Sequence, residues 1–191
     1  MKYAVWFVGL TCTFNAFAGL VTFDLLGDAS VYSLLDNQLS GSVTNSGLVV
    51  TVSASDGVLN RTSSGFGVNG AGTDDTDGLN AGQYIDLVFD QDVSFENMNV
   101  SSWGASDAGE VQLGPLFDSQ GSLAKNDTAF EFDVIKASTH SVRILATADS
   151  GATNGFSVNS FTVDTIPEPA VIGLIGLGSG VMMLLHKRRR N

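Results

Sequence analysis

The side chains best placed to do chemistry lie in one stretch, Gly65-Phe66-Gly67-Val68-Asn69-Gly70-Ala71-Gly72-Thr73-Asp74-Asp75-Thr76-Asp77-Gly78-Leu79-Asn80. Asp74, Asp75, Asp77 and Asn80 crowd hard oxygen donors together, the donor type Ca2+ takes, and backbone carbonyls can complete the shell. The glycines permit the tight turns that wrapping an ion requires. No Glu closes the segment as an EF-hand would need, and no helical pattern flanks it. The expectation is a structural Ca2+ site that ties the loop to a strand beginning near Gln83. A solvated acidic loop, in which Gly and Asp serve only as turn formers, fits the same residues.

Little else in the chain carries chemistry. Cys12 is the one cysteine, and His140 and His186 are the two histidines. Cys12 falls in the N-terminal segment read below as a signal, so a body with no cysteine and with His140 alone excludes Cys–His catalysis and a histidine-based zinc site. Paired carboxylates could support glycoside hydrolysis, but acids are too abundant to single out a pair. Gly65–Gly70 lacks the lysine and the following helix of a phosphate loop. His140, at a strand start, reads as a surface or packing residue. Trp103, before Gly104, could stack on a sugar ring, though aromatic burial favours a cap on the core. The chain is not expected to be an enzyme.

The elements that must position these residues follow a period of two. Leu48–Ala54, Tyr84–Phe89, Phe95–Val100, Phe130–Val134, Ser141–Thr147 and Phe156–Val163 alternate or run β-branched, and Val21–Leu26 reads as a first strand. Turn clusters separate them at Ser55–Gly57, Gly65–Gly82, Ala105–Gly109, Asp118–Gly121 and Asp149–Gly155. Only Ser30–Leu35 hints at a helical turn. Eight to ten short antiparallel strands imply an all-β fold, a two-sheet antiparallel sandwich of jelly-roll type. The expected core is Phe23, Val50, Val52, Ile85, Leu87, Phe89, Phe130, Phe132, Val142, Ile144, Phe156 and Phe161. Alternation puts Asp86, Asp90, Glu131 and Asp133 on the solvent side.

Both ends of the chain carry processing signals. Met1-Lys2 is a basic start, Tyr3–Phe14 is mostly apolar, and Ala16-Phe17-Ala18 is an A-x-A site. Residues 1–18 therefore read as a signal helix handled by the Sec translocon and cut after Ala18. The body, residues 19–165, would then lack cysteine and hence disulfides. It has four basic and nineteen acidic side chains, a net charge of −15. So acidic a surface repels nucleic acid, and no nucleic-acid role is expected.

The C-terminal segment, 166–191, has three parts. Pro167-Glu168-Pro169 holds the junction extended, because proline biases its predecessor away from helix. Ala170–Leu185 is uncharged and, at about 24 Å as a helix, spans a bilayer with help from its flanks. His186–Asn191 follows as a basic tail, in which Lys187, Arg188, Arg189 and Arg190 form a cytoplasmic stop and leave the body facing outward. Gly176 and Gly180 sit in a G-x-x-x-G spacing that can pair helices, though weak hydrophobicity suited to transient anchoring explains the glycines too.

In order and position these parts resemble the PEP-CTERM sorting signal of Gram-negative bacteria. The Gly-Asp-rich segment loosely resembles loops of β-sandwich proteins carrying that signal. The resemblance implies an exosortase-like membrane processing enzyme as partner, removal of the tail near the motif, an inner-membrane intermediate, and delivery to the outer surface or an extracellular matrix. The expected role is that of a structural or interaction protein. The rival is a carbohydrate-binding module of an exopolysaccharide matrix, which rests on fold analogy.

Overall fold

The computed structural model describes residues 19–70, 78–104, 106–116, 118–122, 131–133, 138–148 and 155–166. The expected signal helix with Ala16 and Ala18, the transmembrane helix Ala170–Leu185 and the whole segment from Pro167 onward lie outside them. Among the described residues no helix is long and apolar enough to cross a membrane.

The fold is all-β. Among the described residues the strands are β1 (Leu20–Asp24), β2 (Ser40–Asn45), β3 (Leu48–Ala54), β4 (Val58–Thr62), β5 (Gly65–Asn69), β6 (Tyr84–Ser101), β7 (Ala108–Leu113), β8 (Asp118–Ser122), β9 (Glu131–Asp133), β10 (Ser138–Ala148) and β11 (Ser157–Thr165), with one helix, α1 (Ala29–Leu35). They form one continuous, curled antiparallel sheet of eleven strands. Two separate layers, as the sequence pattern implied, are not what the hydrogen bonds draw.

The reason is β6. Tyr84–Phe89 and Phe95–Val100, legible as two strands, are one eighteen-residue strand. Nothing between them, neither proline nor glycine, breaks the extended backbone. Its first half pairs with β3 and β10, and its second with β11 and β9. The strand thus passes from one arm of the sheet to the other. Bulges let it do so: Val163 faces Phe95 while Thr162 faces Asn97, so that Glu96 is the extra residue between them. Such an extra residue bends a strand and resets which side chains point inward. Ile85, Leu87, Phe89, Val93 and Phe95 are buried before it, and Met98 and Val100 after it. A second extra residue, Asn159 on β11, turns its carbonyl to the amides of Leu25 and Leu26 at 2.8 and 3.2 Å, just past the end of β1.

Both arms pack on one aromatic cluster. Phe161 of β11 stacks on Phe23 of β1 at 5.1 Å and on Phe95 at 6.0 Å, and meets Phe89 edge-on at 6.2 Å. Offset stacks and edge-to-face pairs are the arrangements ring quadrupoles favour. Every expected core residue whose side chain is described is buried; Phe130 lies outside the described residues, as does the Phe132 side chain. Phe66, Leu79, Phe95 and Met98 join them.

Local chemistry sets the connections. Ser46 and Gly47 link β2 to β3 with φ of 50° and 83°, the double left-handed conformation of a type I′ hairpin. Helix α1 starts at Asp28, whose carboxylate accepts from the Ser30 amide at 2.8 Å and hydroxyl at 2.6 Å. Those bonds, the hydroxyl's first, hold the Asp28 carboxyl below its ordinary value. Its contribution is therefore present above the ordinary aspartate pKa and lost as pH falls through the lowered one. Val31 and Leu35, one turn apart, face the core. The chain after α1 covers the edge of β4: Asn37 donates to the Leu59 carbonyl, Leu59 donates to Gln38, and Asp36 accepts from the Arg61 amide. A shielded edge cannot recruit another strand.

Two turn clusters read from composition are strands. Gly65–Asn69 pairs with β4 and buries Phe66 and Val68, because alternate apolar residues outweigh glycine's cost in a strand. Asp118–Ser122 pairs with β7, its backbone hydrogen bonds prevailing over the turn preference of Asp and Ser.

Truncating Phe161 to alanine removes the ring that three others contact. It should cost about 3–5 kcal/mol in chemical denaturation of residues 19–166. Thr22→Ala, on the exposed side of β1, should stay within roughly 0.5 kcal/mol.

Candidate functional site

Two places bring polar side chains together: the foot of the Gly-Asp loop and the outer side of the β3–β6–β10 arm. Of the candidate calcium ligands, Asp74, Asp75 and Asp77 lie outside the described residues. Asn80 is described, and its side-chain oxygen accepts from the Gly155 amide at 3.2 Å. Its own amide donates to Gln83 Oε1 at 2.9 Å, and its carbonyl accepts from the Gln83 amide at 2.8 Å. Asn80 thus holds a turn together, with one lone pair of its oxygen already engaged.

The loop's two ends are fixed. Gly78 accepts from the Val68 amide at 3.3 Å, and Leu79 donates to the Phe156 carbonyl at 2.6 Å. Gly78 and Gly155 let these backbones touch. A β-carbon on Gly78 would sit 2.5 Å from the Phe156 carbonyl oxygen, and one on Gly155 would overlap that of Leu79. Close approach, not turn-making, is why these two positions need glycine. Beside the foot lies exposed Asp56, whose Oδ1 accepts from the Ser55 hydroxyl at 3.0 Å. Among the described residues no three His, Cys, Asp or Glu side chains gather as a metal would require.

The second place is built by register. Ser40, Ser53, Asp86, Arg143 and Gln112 form one row across β2, β3, β6, β10 and β7. Tyr84, Leu145 and Glu110 form the next row, and Ser42, Thr51, Val88 and Ser141 the row on the other side. The alternation that buries Ile85, Leu87, Val142 and Ile144 sends these side chains outward. Arg143 grips Asp86 with two bonds, Nε to Oδ1 at 2.7 Å and Nη2 to Oδ2 at 2.9 Å. It lies over Tyr84, its Cζ 3.6 Å from the ring centre. The Asp86 hydrogen bonds raise the guanidinium above its ordinary pKa against the opposing effect of burial. It is a permanent cation, neutralised where it stands. Gln112 Nε2 donates to Glu110 Oε1 at 3.3 Å, and the Ser42 and Thr51 hydroxyls bond at 2.9 Å. The result is a broad, half-exposed surface of planar groups, hydroxyls and amides, with Val88 exposed in one of its outer rows.

Asp86 is only partly on the solvent side, because its side chain, 17% exposed, lies under Arg143. Asp90 is exposed and accepts from the Val49 amide. The Glu131 and Asp133 side chains lie outside the described residues. Trp103 rests on Phe156 at 4.8 Å as a half-buried edge of the core, and His140 meets Asp92 at 3.1 Å on an exposed surface. The Arg143–Asp86–Tyr84 group was not singled out in the sequence. Alternation showed that Asp86 and Arg143 point out, but not that residues 57 positions apart are neighbours.

No family model matches the chain, and no curated protein is similar to it.

Proposed function

We propose that this is an exported structural or interaction protein of the cell surface or extracellular matrix, not an enzyme, delivered by a PEP-CTERM-type signal. One observation carries the reading: Pro167-Glu168-Pro169, the apolar stretch 170–185 and Lys187–Arg190 in sequence at the C-terminus, opposite an A-x-A site at Ala16–Ala18. The Sec translocon would export the chain. The apolar stretch would anchor it in the inner membrane, and an exosortase-like enzyme would remove the tail. An acidic body suits life outside the cell, where net charge keeps it dispersed. In this reading the two arms of the curled sheet are the layers of a sandwich of jelly-roll type, with β6 as a corner-turning strand. Intact mass of the mature protein tests it. The expected species starts at Gly19 and lacks Lys187–Asn191. Recovery of those residues in cells that make the processing enzyme would overturn it.

The second reading, a carbohydrate-binding module, is favoured by the Tyr84–Arg143 platform with Asp86, Gln112 and Glu110 around it. Planar groups stack on sugar rings, and flanking amides and carboxylates satisfy their hydroxyls. On a glycan array, residues 19–166 should retain neutral sugars and Arg143→Ala should lose them. An absence of binding at millimolar sugar removes this reading.

A Ca2+ ion held by Asp74, Asp75, Asp77 and Asn80 would fit either. Support comes from the pinned ends of that loop, which spare the ion part of the cost of ordering it. Calorimetric titration should show heat of binding and a rise in melting temperature. If neither appears, the site does not exist.

A further inference from the structure

Arg61 and Arg143 are the basic side chains among the described residues, and they are treated differently. Arg143 spends its charge on Asp86. Arg61, on β4, has no carboxylate within ion-pair reach among the described residues. Its guanidinium lies over the Tyr32 ring of α1, with Cζ 3.7 Å from the ring centre, and Nη2 donates to the Leu26 carbonyl at 3.3 Å. Its Nε is buried and has no acceptor. Strand β4, helix α1 and the turn after β1 thus hold the cation in place, yet none of them neutralises it. Three aspartates lie along the same segments, and each is engaged elsewhere. Asp24 accepts from the Leu26 and Gly27 amides, Asp28 from Ser30, and Asp36 from the Arg61 backbone amide rather than its side chain. A donor that has given up its hydration without gaining an acceptor is costly, and it marks a place where a partner is missing.

We propose that Arg61 is a subsite for the carboxylate of a uronic acid in an acidic polysaccharide. The proposal rests on reading the body as one that meets matrix polysaccharide, and it uses none of the residues of the Tyr84–Arg143 platform. A guanidinium presents donors in one plane at the spacing of two carboxylate oxygens. The stack on Tyr32 already restricts that plane, so less side-chain freedom is lost on binding. The neighbouring aspartates decide what may carry the carboxylate. A bare anion meets their repulsion, and an acidic peptide adds more charge of the same sign. A uronate sets hydroxyls beside its carboxylate. Those hydroxyls can donate to lone pairs still open on exposed Asp24 and Asp28, turning unfavourable neighbours into acceptors.

The test is titration of the full-length chain in neutral detergent micelles with a glucuronate tetramer, a glucose tetramer, acetate and a glutamate tetrapeptide. Arginine Nε–H resonances are followed by NMR. The glucuronate tetramer should bind at about millimolar concentration and move the Arg61 resonance. Acetate and the tetrapeptide should bind at least roughly tenfold more weakly. Arg61→Gln should weaken glucuronate at least roughly tenfold without changing the response to the glucose tetramer. Arg61→Lys, which keeps the charge and loses the fork, should fall between them while melting close to the unaltered chain. An unmoved Arg61 resonance, or equal glucuronate affinity in Arg61→Gln, would overturn the subsite. Tetrapeptide binding as tight as glucuronate would overturn its assignment to a sugar acid. If the glucose tetramer binds no chain while glucuronate binds through Arg61, the neutral-sugar reading of the platform fails and this subsite stands.

Discussion

Everything in this fold leans on the contact between Phe161 and three other rings. Phe23 arrives from the first strand, Phe89 from one half of β6 and Phe95 from the other, so a single side chain of the last strand joins parts of the chain distant in sequence. A curled sheet has no second layer of its own to press against. It closes only if its two arms share a core, and large aromatic rings fill that space with few side chains and little lost rotamer entropy. The bend in β6 and the extra residues at Glu96 and Asn159 follow from this demand, because they aim Phe95, Met98 and Val158 inward as the strands turn.

With most apolar side chains drawn in, the outward side of the β3–β6–β10 arm is largely polar, with Val88 and Leu145 among its exceptions. Its charges largely cancel at short range, where Arg143 sits between Asp86 and Tyr84. Among the described residues, Asp24, Asp28, Asp56 and Asp90 are scattered acidic side chains that stand exposed. Long-range repulsion and short-range satisfaction coexist: the molecule is acidic at a distance, while its flattest surface offers groups suited to neutral, hydroxyl-rich surroundings.

Much of this was legible in the residues. Period-two alternation located β3 to the residue and found Phe23, Ile85, Leu87, Ile144 and Phe161 in the core. Ser30–Leu35 hinted at α1, the one helix among the described residues. What was not legible depends on distant pairing. Glycine suggested a turn at Gly65–Asn69, yet Phe66 and Val68 had a core to enter, and burial outweighed local preference. Alternation was read as ending at Phe89 and resuming at Phe95, yet β6 runs through the polar residues between them, where Asp90 and Asp92 are exposed. For the candidate site, acidic residues in one stretch suggested oxygen ligands. The planar group on Arg143 was invisible, since it takes a register between β6 and β10 to assemble it.

The bond between Gly19 and Thr165 closes a loop of 146 residues. Folding slows as contacts come from farther apart along the chain, because the entropy of closing such loops is spent before the pairing returns it. A chain delivered N-terminus first holds Leu20–Asp24 without a partner until its last strand has emerged. Throughout that interval Phe23 has no Phe161 to cover it. The first strand to appear is the last to be satisfied, which makes completion of the body a signal that all of it has arrived.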